Sequence, residues 1–204
     1  DSMGTLRLLV ERGANVDLAD SGGKTPLMHM AETGRWGEAK YILSAGADVN
    51  AQDMLGRTAL MYASAGCRGW HDEIVRLLVS AGADINTRGK DGETALSLAC
   101  LSGTMESVDF LLSREADGTW TDSKGRTLPE RAGLAGRLGT LSLLARRVGF
   151  SGTDMLRFAT SLKESKTLTT DVRGAVALIV SAYTPPSLCS EFNRKLSRSR
   201  AYGF

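Results

Sequence analysis

Apolar residues recur at helical spacing in short segments throughout the first 149 residues. In one segment, Met105, Val108, Leu111 and Leu112 follow this spacing and stop at a polar loop. A shorter run of residues that favour helices begins at Thr94 and comes before it, separated by a turn. The pattern predicts two short helices joined by a tight turn, and the same pair recurs along the chain.

Two sequence phrases repeat with one period. The phrase Gly-Ala-Asp/Asn-Val/Ile-Asn/Asp occurs at 13–17, 46–50 and 82–86, with a degraded copy at 115–119. A second phrase begins at Thr25, Thr58, Thr94 and Thr127. Both phrases advance in steps of 33, 36 and 33 residues. A pair of short helices cannot bury enough apolar surface alone, so the units are expected to stack on one another.

These units resemble ankyrin repeats. Residues 25–31 read Thr-Pro-Leu-Met-His-Met-Ala, which is similar to the family phrase Thr-Pro-Leu-His-x-Ala, and residues 73–78 are similar to its second helix. The resemblance covers about residues 1–149. It implies an all-α fold, an ankyrin-repeat solenoid of stacked helix–turn–helix units with short β-hairpin loops. Three extra residues within 65–70 are expected to enlarge the turn of one unit.

The predicted organisation has two parts. Residues 1–150 form the repeats, with a half unit at 1–24 and units starting near 25, 58, 94 and 127. The half unit leads us to expect further repeats upstream. Residues 151–204 do not match the repeat and form a helical C-terminal extension with a basic tail. Its helices are expected to cap the array, with a docking or oligomerisation element as the alternative.

Several side chains depart from the family phrase. Its histidine is replaced in the four units by Met28, Met61, Ser97 and Glu130. The hydrogen bond from that histidine to the threonine is therefore expected to be missing, at a cost in stability. We expect both methionines to lie in the core, and His29 to be packed or partly buried.

The tryptophans and histidines have predicted places in each unit. Trp36 and Trp70 are expected to fill the core between helices, whereas Trp120 is expected to be exposed. His71 is expected to open a second helix. The two histidines lie in different units, without a second ligand at metal-binding spacing, so no metal site is predicted.

Composition and charge narrow the class of protein. Residues 150–204 hold eight Lys and Arg against four Asp and Glu, while residues 1–149 hold 17 against 19. This distribution argues against nucleic-acid binding by the repeats, although binding of nucleic acid or a membrane surface by the basic tail stays open. The longest apolar stretch, 175–180, is far shorter than the ~20 residues that a membrane span needs. Three cysteines without motif spacing favour a reducing compartment, the cytoplasm, with the nucleus as an alternative.

No motif in the sequence indicates catalysis or a cofactor. Residues 22–25 read Gly-Gly-Lys-Thr, but a phosphate-binding loop needs a glycine where Leu18 stands. Asp20, Asp53 and Asp122 share one position of the repeat, which favours turn hydrogen bonds over paired acid–base chemistry. We therefore predict no enzyme, no cofactor and no small-molecule substrate. The alternative is a targeting region of a larger enzyme, such as a ubiquitin ligase or transferase.

The resemblance implies a protein–protein interaction module or adaptor that binds its partner on the concave face of the array, at the loop tips and the exposed positions of first helices. The candidate residues at the tips are Lys24, Met54, Leu55, Arg57, Lys90, Asp91, Glu93, Lys124 and Arg126. Those on the helices are Glu32, Thr33, Ala65, Leu101 and Ser102. Apolar residues in a basic frame suit a protein or peptide with acidic and hydrophobic character. Self-association through the array ends or the C-terminal helices stays open.

Overall fold

The regular structure of the described residues is helical. The computed structural model describes residues 2–66, 69–102 and 104–149, with the single positions 174 and 182. The helices are α1 (Ser2–Glu11), α2 (Pro26–Thr33), α3 (Trp36–Ser44), α4 (Ala59–Ala65), α5 (His71–Ser80), α6 (Ala95–Ser102), α7 (Met105–Ser113), α8 (Leu128–Leu134) and α9 (Leu138–Arg147). The capping helices and basic tail predicted for 151–204 lie outside the described residues, so the boundary at 150 stays a prediction.

The chain divides into two compact units, residues 1–117 and 118–204. In the first unit, α2, α4 and α6 form one layer in which each helix packs on the next, and α1, α3, α5 and α7 form a second layer. Each helix of the first layer also packs on the following helix of the second. In the second unit α8 packs on α9. The predicted all-α fold of stacked helix pairs is confirmed.

The core of the first unit consists of aliphatic side chains at matching positions of successive repeats. Leu27, Leu60 and Leu96 are fully buried in the first-layer helices. Alanines four or three residues further on are also fully buried, at Ala31, Ala63 and Ala99. Such small side chains let neighbouring helices approach closely. Met28 and Met61 are buried as predicted.

Threonines begin the helices of the first layer. The hydroxyl oxygens of Thr25 and Thr58 accept hydrogen bonds from the backbone N–H groups of Met28 and Met61, at 3.5 and 3.4 Å. These bonds satisfy donors that a helix N-terminus otherwise leaves unpaired. His71 opens α5, as predicted, and its Nε2 lies 3.1 Å from the carbonyl oxygen of Glu32.

In the last two repeats, the residue that replaces the family histidine makes side-chain hydrogen bonds. Ser97 Oγ accepts a bond from the backbone N–H of Thr94 at 2.9 Å, and Thr94 Oγ1 accepts one from the N–H of Ser97 at 3.2 Å. Glu130 Oε2 accepts a bond from the N–H of Thr127 at 2.8 Å, in a capping box. The predicted loss of the histidine bond is therefore offset at these two positions, where Ser97 and Glu130 bond to the backbone of the preceding threonine.

Aspartates close the loop tips that link one repeat to the next. The Oδ1 atoms of Asp20, Asp53 and Asp122 each accept bonds from the backbone N–H groups two and four residues further on, at 2.8 to 3.0 Å. This confirms the predicted turn hydrogen bonding. The β-hairpins are rudimentary, because the described residues contain a single isolated bridge, Thr121 with Thr127, and no strand. Each arm is too short to form a ladder once the aspartate has closed the turn.

Neighbouring tips of the first unit are joined by their backbones. The N–H of Met54 donates to the carbonyl oxygen of Gly22 at 3.0 Å, and the N–H of Lys90 donates to that of Leu55 at 2.8 Å. Gly23 has a φ of 79°, and a Cβ atom there would lie 2.9 Å from the nitrogen of Met54. The backbone of each of these tips is therefore held by hydrogen bonds within its own turn and by a hydrogen bond to the neighbouring tip.

The loops after the second-layer helices are also linked from one repeat to the next. Asn50 Oδ1 accepts a bond from the N–H of Asp84 at 2.8 Å, and its Nδ2 donates to the carbonyl oxygen of Gly82 at 3.3 Å. Asn86 makes the same two bonds, to Asp117 and Glu115, at 2.8 and 3.3 Å. Side-chain amides thus connect successive repeats along the edge formed by these loops.

The predictions for the tryptophans are wrong. Trp120 is buried, with 1% of its surface exposed, and the guanidinium carbon of Arg131 lies 5.0 Å from its ring centroid. Trp70 is 60% exposed, and Trp36 stacks on it with ring centroids 6.2 Å apart. Leucines and alanines already fill the space between the helices of these repeats. The two indoles therefore lie at the turns between helices rather than in the core.

His29 is partly buried, one of the two states predicted for it, and it is not packed in the core. Its side chain is half exposed, because the fourth residue of α2 faces the tip rather than the core. Its Nε2 lies 2.9 Å from Oδ2 of Asp20.

Candidate functional site

The tip at residues 53–57 presents the most apolar surface among the tips of the first unit. Met54 and Leu55 are 63% and 53% exposed. Their backbones are held by Asp53, which accepts from the N–H of Leu55 at 2.8 Å, and by the bonds to the neighbouring tips. We call Met54 and Leu55 the apolar tip. A rigid backbone carrying two exposed apolar side chains can contact a partner with little loss of conformational entropy.

The basic frame expected around the apolar tip is largely neutralised within the chain. Lys24 Nζ donates to Glu32 Oε2 at 2.9 Å, which raises the pKa of Lys24, and lies 4.2 Å from the ring centroid of Tyr62. Arg57 donates to Asp91 at 3.0 Å across neighbouring tips, which raises the pKa of Arg57. Lys90 is exposed and makes no ion pair within the described residues. Of the three tip cations in the first unit, Lys90 is therefore the one best placed to attract an acidic partner group.

The other candidate positions differ in accessibility. Glu32, Thr33 and Ala65 are exposed, whereas Glu93, Leu101 and Ser102 are half-buried. The hydroxyls of Thr33 and Ser102 donate to backbone carbonyls of their own helices, those of His29 and Leu98, at 2.7 and 3.1 Å. The first three are therefore the better placed for contact with a partner.

The second unit carries the last predicted tip. Lys124 is exposed there, whereas Arg126 lies 2.6 Å from Asp122 in an ion pair. The pKa of Asp122 is lowered, since burial, which raises it, is outweighed by hydrogen bonds from the backbone and side chain of Arg126. Lys124 is thus the accessible cation of this tip.

A hydrogen bond between tip and helix was missed by sequence reasoning. The hydroxyl of Tyr62 in α4 donates to Asp53 Oδ2 at 2.6 Å. Burial of Asp53 raises its pKa, but the hydrogen bonds from Tyr62, Arg57 and Leu55 and the charge of Arg57 outweigh it and lower the pKa below the ordinary value. The corresponding contact in the preceding repeat is between His29 and Asp20. The signal in the sequence was a polar ring nine residues after Asp20 and nine residues after Asp53.

The lowered pKa of Asp53 predicts an acid-sensitive contribution to stability. A carboxylate whose folded-state pKa is depressed stabilises the fold above its unfolded pKa of about 3.9, and this stability is lost as the pH falls through the folded pKa. We expect Asp53→Asn to lower the free energy of unfolding by about 1–2 kcal/mol at pH 7. The deficit should shrink steadily below about pH 4. Urea denaturation at pH 7, 4 and 3 checks this, and a deficit that does not change with pH would contradict it.

An open cleft lies on the first-layer helix α2. Its volume is about 430 Å³, and it is lined by Pro26, His29, Met30, Thr33 and Arg35. Of these residues, sequence reasoning had singled out Thr33 as a contact position. The cleft brings one histidine and one arginine together, and the hydroxyl of Thr33 donates to the carbonyl oxygen of His29.

The described residues support neither metal binding nor a membrane-spanning helix. Within residues 2–66, 69–102 and 104–149, no group of three or more His, Cys, Asp or Glu side chains is arranged to hold a metal ion. No helix in these ranges is long and apolar enough to cross a membrane.

Comparison with known protein families agrees with the geometry. The sequence model of the family described as ankyrin repeats (3 copies) matches residues 2–89 and 67–155. A search of curated proteins gave no match. Ankyrin repeats are generally modules that bind other proteins and are typically non-catalytic. The matched residues cover most of the chain, and they contain the stacked helix pairs described above, so this chain belongs to the ankyrin-repeat family.

Proposed function

We propose that this chain is a non-catalytic adaptor or scaffold that holds a partner protein or peptide on the face formed by its loop tips and first-layer helices. The observation that carries the proposal is the apolar tip. Met54 and Leu55 are more than half exposed although their backbone is tightly held, and the fold gains little from their side chains. Exposed apolar residues on a rigid surface are typical of contact sites with proteins.

The surroundings of the apolar tip narrow the chemistry of the partner. Lys24 and Arg57 are paired with Glu32 and Asp91, so they contribute little net charge. Lys90 lies at the next tip, and its backbone N–H donates to the carbonyl oxygen of Leu55. The partner segment we propose therefore places apolar side chains on Met54 and Leu55 and a carboxylate near Lys90.

We also propose that the protein acts in a reducing compartment, the cytoplasm. The thiol of Cys100 is buried in α6, where it packs as a small apolar side chain. Three cysteines without motif spacing are typical of a protein from that compartment.

Binding should be lost when the apolar tip is made acidic. In affinity capture with the full chain, we expect the variant with Met54→Glu and Leu55→Glu to retain a captured partner at least about tenfold less well, since loss of a central hot-spot residue costs about 2 kcal/mol or more. The matched control replaces Leu8 and Leu9 of α1 by glutamate, because these residues are similarly exposed but lie in the other helix layer.

The two variants together distinguish binding at the apolar tip from non-specific binding to any exposed apolar surface. Loss of the partner in the tip variant but not in the α1 variant supports the assignment. Equal retention by both would remove the assignment of the binding face, and loss in both would point to apolar surface without a specific site. Circular dichroism of each variant shows whether the fold is intact.

A further inference from the structure

The turns between the two helix layers carry a second exposed apolar surface in the first unit. It is formed by the exposed residues Trp70 and Met105 and by the half-buried Trp36, which stand at the starts of α5, α7 and α3, and we call it the turn edge. Trp70 and Met105 are 60% and 48% exposed. The rings of Trp36 and Trp70 are in contact, with centroids 6.2 Å apart and planes inclined by 33°.

The turn edge is continuous from one repeat to the next. Beyond Trp70, the carboxylate of Asp72 accepts hydrogen bonds from the hydroxyls of Thr104 and Ser107, which flank Met105. On its other side, the ring of His71 bonds to the carbonyl of Glu32 at the end of α2. The two indoles and Met105 therefore lie along three successive turns that are held together by hydrogen bonds.

The two ends of the turn edge differ in charge. At Trp36, Arg35 is exposed and the ammonium of Lys40 lies 5.0 Å from the ring centroid. At the other end, Glu73 and Glu106 are exposed and make no ion pair within the described residues. Glu73 lies one helical turn from Trp70, and Glu106 follows Met105 directly. Arg68, two positions before Trp70 in the sequence, lies outside the described residues.

We propose that the turn edge is a second docking surface, which takes a segment of a partner protein that presents an arginine to the indole of Trp70 and an apolar side chain to Met105. Lys40 on Trp36 shows that an indole of this edge accepts a cation on its face. A guanidinium can stack flat on the exposed indole of Trp70. The carboxylates of Glu73 and Glu106 give this end of the turn edge the opposite charge. This surface is distinct from the apolar tip and does not depend on it.

Folding alone accounts for only part of this arrangement. Carboxylates in the first turn of a helix stabilise its N-terminus, which explains acidic residues at these positions. It does not explain an indole that leaves 60% of its surface in water, where it contributes little to the core. The combination of exposed indole, exposed methionine and unpaired carboxylates has the charge and shape to complement a basic, partly apolar segment.

The test uses the full chain labelled with 5-fluorotryptophan and a blocked hexapeptide, Gly-Leu-Arg-Leu-Arg-Gly. The three fluorine resonances are assigned with single Trp→Phe variants. We expect the peptide to shift the resonance of Trp70, and to a smaller extent that of Trp36, while that of buried Trp120 stays in place. A matched peptide with citrulline in place of both arginines should bind about threefold to fivefold more weakly, since it removes the cation but keeps the shape.

Variants of the protein make the assignment specific. Trp70→Ala, and separately Glu73→Gln with Glu106→Gln, should each weaken binding of the arginine peptide about threefold or more, while Trp70→Phe should keep most of it. The tip variant, Met54→Glu with Leu55→Glu, should bind this peptide as the unaltered chain does. Equal binding of the arginine and citrulline peptides, or an unchanged affinity in the Trp70→Ala variant, would overturn the proposal. A Trp70 resonance that does not move at millimolar peptide would overturn it as well.

Discussion

Replacement of Trp120 by alanine is expected to lower the free energy of unfolding by about 3–5 kcal/mol, the range for removing a fully buried large side chain. In the unaltered chain the Trp120 side chain is 1% exposed, and its ring centroid lies 5.0 Å from the guanidinium carbon of Arg131. The substitution removes both the buried surface and this contact. The same substitution at Trp70, which is 60% exposed, should cost less than about 1 kcal/mol. Denaturation with guanidinium chloride, monitored by far-ultraviolet circular dichroism, measures the loss in free energy of unfolding for each variant.

The two tryptophan variants control for each other, because the same atoms are removed in both. A large loss at Trp120 and a small loss at Trp70 would agree with the burial described here. Similar losses at the two positions would show that the placement of the indoles is wrong. Tryptophan fluorescence gives an independent check, since removal of Trp70 should take away the component that a soluble quencher reaches most easily.

Replacement of Gly23 by alanine is expected to lower the free energy of unfolding by about 2–5 kcal/mol. A φ of 79° costs a residue with a side chain about 1–2 kcal/mol. The added Cβ would also lie 2.9 Å from the backbone nitrogen of Met54, which cannot move aside as a flexible side chain can, and overpacking of this kind adds about 1–3 kcal/mol.

Gly13 provides the matched control for Gly23. Its φ is 81°, but a Cβ atom there would meet no other atom within 4 Å, so Gly13→Ala should cost only the backbone term of about 1–2 kcal/mol. The difference between the two variants measures the close approach of neighbouring tips. Hydrogen exchange at the N–H of Met54, which bonds to Gly22, should accelerate in the Gly23 variant alone. Equal destabilisation by both variants would contradict the close contact between tips.

The periodic features of the fold could be predicted from the sequence because each depends on neighbours along the chain. Thr25 and Thr58 cap helices through bonds three residues away, and Asp53 closes a turn through bonds two and four residues away. Residue type and spacing are sufficient for such local interactions. The sequence could therefore predict the helix pairs, the insertion between α4 and α5 and the hydrogen bonds of the turns.

The errors concern side chains whose surroundings come from another repeat. The exposure of Trp70 depends on how fully leucine and alanine side chains already fill the core, which hydrophobicity alone does not reveal. The pairing of Arg57 with Asp91 joins residues 34 positions apart, about one repeat. Aligning the repeats and seeking opposite charges about one period apart could have found this pair. The sequence therefore identified Met54 and Leu55 as candidates but overestimated the positive charge around them.

The bonds of Asn50 and Asn86 have a consequence for how such a chain can change in length. Both side chains make the same pair of contacts to the loop that follows, so these two junctions have interchangeable partners. A gene duplication or deletion of the segment between them would leave the new boundary with its bonds intact. Natural variants could then gain or lose segments while their surface residues diverge for new partners.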